Sequence, residues 1–275
     1  MKIPEKFEIL VTNGLVDEVV CQLMSGKEAD VYVVRSKGEL RCAKVYKDAG
    51  SRSFSKQAVY QEGRKVRNSR QARAIVKNTR YGRKEQEDAW QNAEVNALQR
   101  LASVGVRVPQ VFSCVGGILL MELIVDDSGN TAPRLNDVKL TGPQAREFHS
   151  VLISQIVLML CAGLVHGDLS EYNVLVDSNG PVIIDLPQAI DAAGNNNAAG
   201  MLQRDVDNMA AYFGRFAPEL LTTDYGREIW KLYSTGELSP HVVLTGHYEQ
   251  STIPADVGGV MGDVEAVRRW HERHL

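Results

Sequence analysis

The sequence predicts an α+β fold, with an antiparallel sheet in the first half of the chain and mainly helices in the second. Three observations carry that reading. Short runs rich in Val and broken by turn residues fill positions 16–46 and 111–124. Apolar residues at helical spacing dominate positions 143–163 and much of the chain from Met201 onward. Between the two regions, the polar run Asp126-Asp127-Ser128-Gly129-Asn130 reads as a linker. At 275 residues, 44% hydrophobic and 24% charged, the chain is long enough for one large domain or two small lobes with a true core.

Taken in order, residues 16–34 read as strand, tight loop, strand, because Ser25-Gly26 interrupts the valines. A third strand is expected at 40–46. Residues 47–84 are low in large apolar side chains and contain Asn68-Ser69 and Tyr81-Gly82, so partial order at best is expected there. They hold twelve Lys or Arg against Asp48 and Glu62, a charge of +10, which leaves −13 for the rest of a chain whose net charge is −3. Such a stretch is either a solvated face or a cationic arm for an anionic partner such as RNA or an acidic protein. Residues 85–101 carry Ala89, Trp90, Ala93, Ala97, Leu98 and Leu101 near helical spacing and predict a helix. Two short strands are expected across 111–124, turning at Gly116-Gly117. After the linker come a long helix at 143–163 and two short strands, 174–176 and 182–184, joined by the hairpin signal Asp177-Ser178-Asn179-Gly180. Residues 186–200 read as loop, and no internal repeat is visible.

Several classes are excluded by pattern. Cys21, Cys42, Cys114 and Cys161 are scattered, with no C-x-x-C pair and no clustered histidines, which argues against a disulfide framework or a zinc site and for a reducing, cytoplasmic setting. The start of the chain lacks the basic, apolar and small-residue succession of a secretory signal. The longest apolar run, 151–165, is interrupted by Ser154 and Gln155 and falls short of the roughly 20 residues that span a bilayer, so no membrane partner is expected.

The chemistry concentrates in His166-Gly167-Asp168-Leu169-Ser170-Glu171-Tyr172-Asn173, ahead of the first short strand, and in Asp185, which closes the second strand twelve residues after Asn173. A hairpin puts Asn173 and Asp185 side by side at its open end, where an amide oxygen and a carboxylate suit magnesium. Asp168, five residues before Asn173, is placed to accept a hydrogen bond from an attacking hydroxyl. Phosphoryl transfer needs mainly positioning and charge neutralisation, which this trio supplies. Near the other end, Ser25-Gly26-Lys27-Glu28-Ala29-Asp30-Val31-Tyr32 lies between two strands, a small-residue loop whose amides can approach phosphates. Lys44 follows on an apolar strand, where an unpaired lysine is costly; Glu94 on the expected helix is its natural partner.

These segments, with Lys44-Val45-Tyr46, Ala132-Pro133-Arg134-Leu135 and Ile184-Asp185-Leu186-Pro187-Gln188, resemble the RIO family of atypical serine/threonine protein kinases, particularly its bacterial members, over nearly the whole chain. The resemblance implies one two-lobed protein-kinase-like domain over 1–275, with an N-lobe at 1–124, a basic and mobile insertion at 47–84 and a C-lobe at 125–275. It implies ATP as substrate and Mg2+ as cofactor, with Mn2+ as the alternative ion. Asp168 would be the catalytic base, Asn173 and Asp185 the metal ligands, and Lys44 the partner of Glu94. Residues Ser25, Gly26, Lys27 and Glu28 would cover the phosphates and Val31 would line the nucleotide site. Met121 would guard the back of the adenine pocket, and the Glu122 carbonyl and Ile124 amide would bond the adenine edge.

Departures from ordinary protein kinases leave alternatives open. Asp185 is followed by Leu186-Pro187 rather than Phe-Gly, the Ser25 loop has one glycine where three are usual, and Asp205 reads as a brace for the catalytic loop. Beside a protein kinase with autophosphorylation stand two other readings. One is an ATPase switch that forms an aspartyl-phosphate on Asp185 and binds RNA or ribosome precursors through 47–84. The other is a small-molecule phosphotransferase, since aminoglycoside and choline kinases share His-Gly-Asp, the Asn five residues later and the Ile-Asp strand end.

Overall fold

Short Val-rich and apolar runs, broken by turn residues, pair in the first half of the chain into an antiparallel sheet. The computed structural model describes residues 5–47 and 80–249. Strands β1 (Glu18–Ser25), β2 (Ala29–Ser36), β3 (Glu39–Tyr46), β4 (Val111–Val115) and β5 (Ile118–Glu122) pair in the order β1-β2-β3-β5-β4. One face buries Tyr32, Val34, Ala43, Val45, Ile118 and Leu120 against Phe7, Leu10 and Val16. Phe7 meets Tyr32 edge-on, with ring centroids 5.3 Å apart. This lid is a 3-10 turn leading into a short helix, α1 (Glu8–Thr12), which the sequence did not announce. Five residues are too few to show a period.

The opposite face carries Val31, Cys42, Lys44 and Met121, which look into a cleft. The register places Lys44 opposite Val31 and Leu119, and Cys42 opposite Met121. Helix α2 (Arg80–Ser103) spans the expected 85–101 and extends it at both ends. The expected basic arm at 47–84, apart from Lys47 and the backbone of 80–84, lies outside the described residues.

Below the sheet, α3 (Gly142–Cys161) is the spine of a helical base. Thr141 and Gln144 form a reciprocal capping box, with Pro in the first turn. Leu152, Ile153, Ile156, Val157, Met159 and Leu160 are buried in the main core with α4 (Ala198–Phe213) and α5 (Tyr225–Thr235). Gly163, at φ 73°, turns the chain into β6 (Leu164–Val165). The hairpin of β7 (Val174–Asp177) and β8 (Gly180–Ile183) forms as expected. The expected loop at 186–200 instead contains β9 (Ile190–Asp191), paired with β6, and opens α4 at Ala198. Nor is 126–130 an open linker: Asp126 Oδ1 accepts from the Ser128 and Asn130 amides at 2.9 Å, and Val125 bridges Thr131, closing a turn. The two halves are joined by Arg107, whose Nη2 donates to Asp177 Oδ2 at 2.7 Å and whose carbonyl accepts from Ile183 at 2.9 Å. Among the described residues no helix is long and apolar enough to cross a membrane.

Candidate active site

Sheet and helical base enclose a cavity of about 750 Å³. Strand alternation sends Lys44 and Tyr46 to the same side of β3, toward α2. There Lys44 Nζ donates to Glu94 Oε1 at 2.6 Å, and Tyr46 donates its hydroxyl to Glu94 Oε2 at 2.5 Å. The charges are hidden from water: Lys44 is 7% exposed and Glu94 1%. Lys44 also donates to Asp185 Oδ1 at 2.6 Å, so one ammonium joins β3, α2 and the end of the lower hairpin. Burial pushes the lysine toward neutrality, but the two carboxylates outweigh it and hold its pKa above the usual lysine value. For Asp185, enclosure raises the carboxyl, and Lys44, His166 and Arg134 together more than reverse the effect.

Asp168 lies in the loop between β6 and β7, which is held from below. Asp205 on α4 accepts from the Gly167 amide at 2.7 Å and the Leu169 amide at 2.9 Å, Asn208 donates to the Leu169 carbonyl at 2.9 Å, and Arg204 donates to the Gly167 carbonyl. Burial raises the pKa of Asp205, an effect that His166, those two amides and Arg204 only partly counter. Above the loop, Asn173 Nδ2 donates to the Asp168 carbonyl at 2.8 Å, and the Ile184 amide donates to the Asn173 carbonyl at 3.0 Å. The hairpin therefore sets Asn173 beside Asp185. Asp185 itself adopts φ 65°, in the left-handed region that Asp tolerates better than bulkier residues.

With Nδ2 committed to the Asp168 carbonyl, Asn173 leaves Oδ1 as an oxygen that could bind a metal ion, and Asp185, 44% exposed, offers a carboxylate. Two hard oxygen donors beside an open cleft fit Mg2+, which takes few protein ligands and keeps waters or phosphates for the rest. Among the described residues there is no group of three or more His, Cys, Asp or Glu able to make a protein-only cage.

The residues expected around a nucleotide line this cavity, with one exception. Gly26, Lys27, Glu28, Val31, Lys44, Glu94, Met121, Glu122, Ile124, Asp168, Asn173 and Asp185 are all on its walls. Ser25 is not. Its hydroxyl donates to Asp30 Oδ1 at 2.6 Å, while Lys47 Nζ reaches the Gly26 carbonyl at 2.7 Å and Asp30 at 3.0 Å, so the turn is knitted from its outer side. At the end of β5 the Glu122 amide donates to the Gln110 carbonyl at 2.8 Å, and just beyond it the Ile124 carbonyl accepts from Ala132 at 2.9 Å, which fixes the backbone there. Nothing in the sequence marked Tyr46 as the second partner of Glu94, or gave Arg134 a place on the cavity wall. Both sat inside quoted motifs, but their partners lie 48 and 110 positions away.

A five-stranded antiparallel sheet over a helical base, with a buried lysine–glutamate pair above and an Asp-loop below, defines the two-lobed fold of the protein kinases. Within that class, a family described as the RIO domain matches residues 30–225. The chain belongs to the RIO family of atypical serine/threonine protein kinases. It is 33% identical over 209 residues to the RIO-type serine/threonine-protein kinase Rio1 of Haloferax volcanii, covering 75% of this chain and 67% of the relative. To the serine/threonine-protein kinase rio1 of Schizosaccharomyces pombe it is 26% identical over 75% of this chain, spanning only 40% of that protein. In structure it is similar to the Rio2 kinase of Chaetomium thermophilum in an ADP/Mg2+-phosphoaspartate complex, with a TM-score of 0.56, 19% identity and coverage of 87% of this chain and 79% of that one.

Proposed function

We propose that this chain is an ATP-dependent serine/threonine protein kinase that phosphorylates protein hydroxyls, its own included, within one kinase domain over 1–275. The observation that carries the reading is the convergence of Lys44–Glu94, Asp168, Asn173 and Asp185 on one cavity. Lys44, oriented by Glu94, presents a fixed ammonium to phosphate oxygens. The Gly26 turn brings backbone close to them. Glu122 and Ile124 offer the main-chain carbonyl and amide for an adenine edge, with Met121 behind. Asn173 and Asp185 would hold Mg2+, or Mn2+ as the alternative, which supplies charge neutralisation on the phosphates when bound. Asp168, held rigidly by the loop that Asp205 braces, accepts the proton of the attacking hydroxyl. The neighbouring Rio2 complex with ADP/Mg2+ supports the choice of nucleotide and ion. The family match favours this reading over a small-molecule phosphotransferase. An RNA or ribosomal contact through 47–84 rests on the charge of that stretch.

A second reading has a specific observation behind it: the Asp185 carboxylate is 44% exposed and engages Lys44 through Oδ1, so its other oxygen can take a phosphoryl group. The Rio2 neighbour is described with a phosphoaspartate.

Transfer from gamma-labelled ATP by wild type, Asp168→Ala and Asp185→Ala tests both. Loss of a general base lowers turnover by about 10²- to 10⁴-fold, and that loss is expected for Asp168→Ala. An acid-stable product on serine is the expected outcome for the protein kinase. A base-labile product that vanishes in Asp185→Ala would move the assignment to the aspartyl-phosphate ATPase. Undiminished transfer in both variants would refute the site.

A further inference from the structure

The cavity walls carry more negative than positive charge. Lys27, Lys44 and Arg134 stand against Glu28, Glu94, Glu122, Asp137, Asp168 and Asp185. A polyphosphate entering such walls needs cations beyond a metal ion. Lys44 is already matched by two carboxylates at 2.6 Å, and Lys27 sits on an exposed turn. Arg134 is different in both respects. Its backbone is pinned to the base of the cleft by a bridge to Leu175 and by the Asp137 amide, which donates to its carbonyl at 2.9 Å. Its guanidinium crosses the mouth of the cleft, where Nη2 touches the thioether sulfur of Met24 at the end of β1. Among the described residues no carboxylate forms an ion pair with it. A thioether is a weak acceptor, whereas a guanidinium is a planar fork of donors matched to phosphate oxygens.

We propose that Arg134 is a polyphosphate-binding residue of this site, exchanging the Met24 sulfur for phosphate oxygens of the nucleotide. The assignment rests on the adenine-nucleotide reading above and adds a ligand to it. Arg134 spans the gap between the helical base and β1, so a phosphate it holds is gripped at the mouth of the cleft as well as by Lys44 on β3.

The test is calorimetric binding of ATP, ADP and adenosine, with magnesium present, to wild type, Arg134→Met and Arg134→Lys. Methionine keeps the unbranched stem against Met24 and removes the charge. Loss of a charge-assisted hydrogen bond predicts about 10- to 30-fold weaker binding of ATP and ADP to Arg134→Met, with adenosine affinity unchanged. Arg134→Lys, which keeps charge without the fork, is expected to fall between the two. Equal losses for adenosine and ATP would show that Arg134 only packs the cleft mouth and would overturn the assignment, as would unaltered ATP affinity in Arg134→Met. Wild type that binds adenosine but not ATP also sinks the Arg134 role, while wild type that binds none of the three removes the nucleotide reading and Arg134 with it.

Discussion

His149 is buried on α3 at 2% exposure, between the rings of Phe213 and Tyr225 at 5.7 Å each, and its Nε2 has no hydrogen-bond partner among the described residues. Burial lowers its pKa to about 4 from 6.5, so the folded protein holds the ring neutral. A folded pKa below the unfolded one means that the unfolded chain takes up the proton first. Stability from this group is complete above about pH 6.5 and is lost as the pH falls toward 4, by an amount on the order of 3 kcal/mol. Urea unfolding of wild type and His149→Leu across that window should show a steeper acid-side loss in wild type; parallel curves would contradict the assignment. The same scale shows where sequence reading stops. That Asn173 and Asp185 stand side by side was legible because their spacing along one hairpin is a local property. The Tyr46–Glu94 bond and the Arg134–Met24 contact are made by the fold, between residues whose separation carries no signal.

Among the elements, those with a long period were read nearly to their ends. Helix α3 was expected at 143–163 and runs Gly142–Cys161, since Thr141 and Gln144 close its start and Gly163 ends it. Thr141→Ala removes a capping oxygen from the Gln144 amide and the reciprocal contact, and is expected to cost about 1 kcal/mol, readable as a lower urea midpoint at unchanged slope. The shortest elements were missed. The strands β6 and β9 have two residues each and exist only because Leu164 pairs with Asp191 and Val165 with Ile190. Alternation cannot be seen in two residues. The turn at 126–130 was taken for a linker because its composition is polar, and what closes it is the Asp126 carboxylate bonding its own backbone.

For the whole molecule, the sheet and the helical base share one ion cluster, in which Lys44 is joined at 2.6 Å both to Glu94 and to Asp185. Strand-rich and helix-rich halves were plain from composition, but that a buried ammonium would also tie them was not. A nucleotide bound between the halves stabilises both at once. At a hundredfold excess over its dissociation constant it contributes about 2.7 kcal/mol, so ATP with magnesium should raise the melting temperature of wild type and leave that of Lys44→Met unmoved. An equal rise in both would show that the ligand does not depend on the cluster. The pairing of β6 with β9 also bears on the chemistry of inhibitors. Only four residues separate Asp185 from β9, and Ala192 donates to the Gly163 carbonyl at 3.0 Å just beyond it. A compound that pulls this aspartate out of the cleft would draw on a segment anchored four residues later in that small sheet. Ligands that fit the cleft with Asp185 left in place avoid that cost.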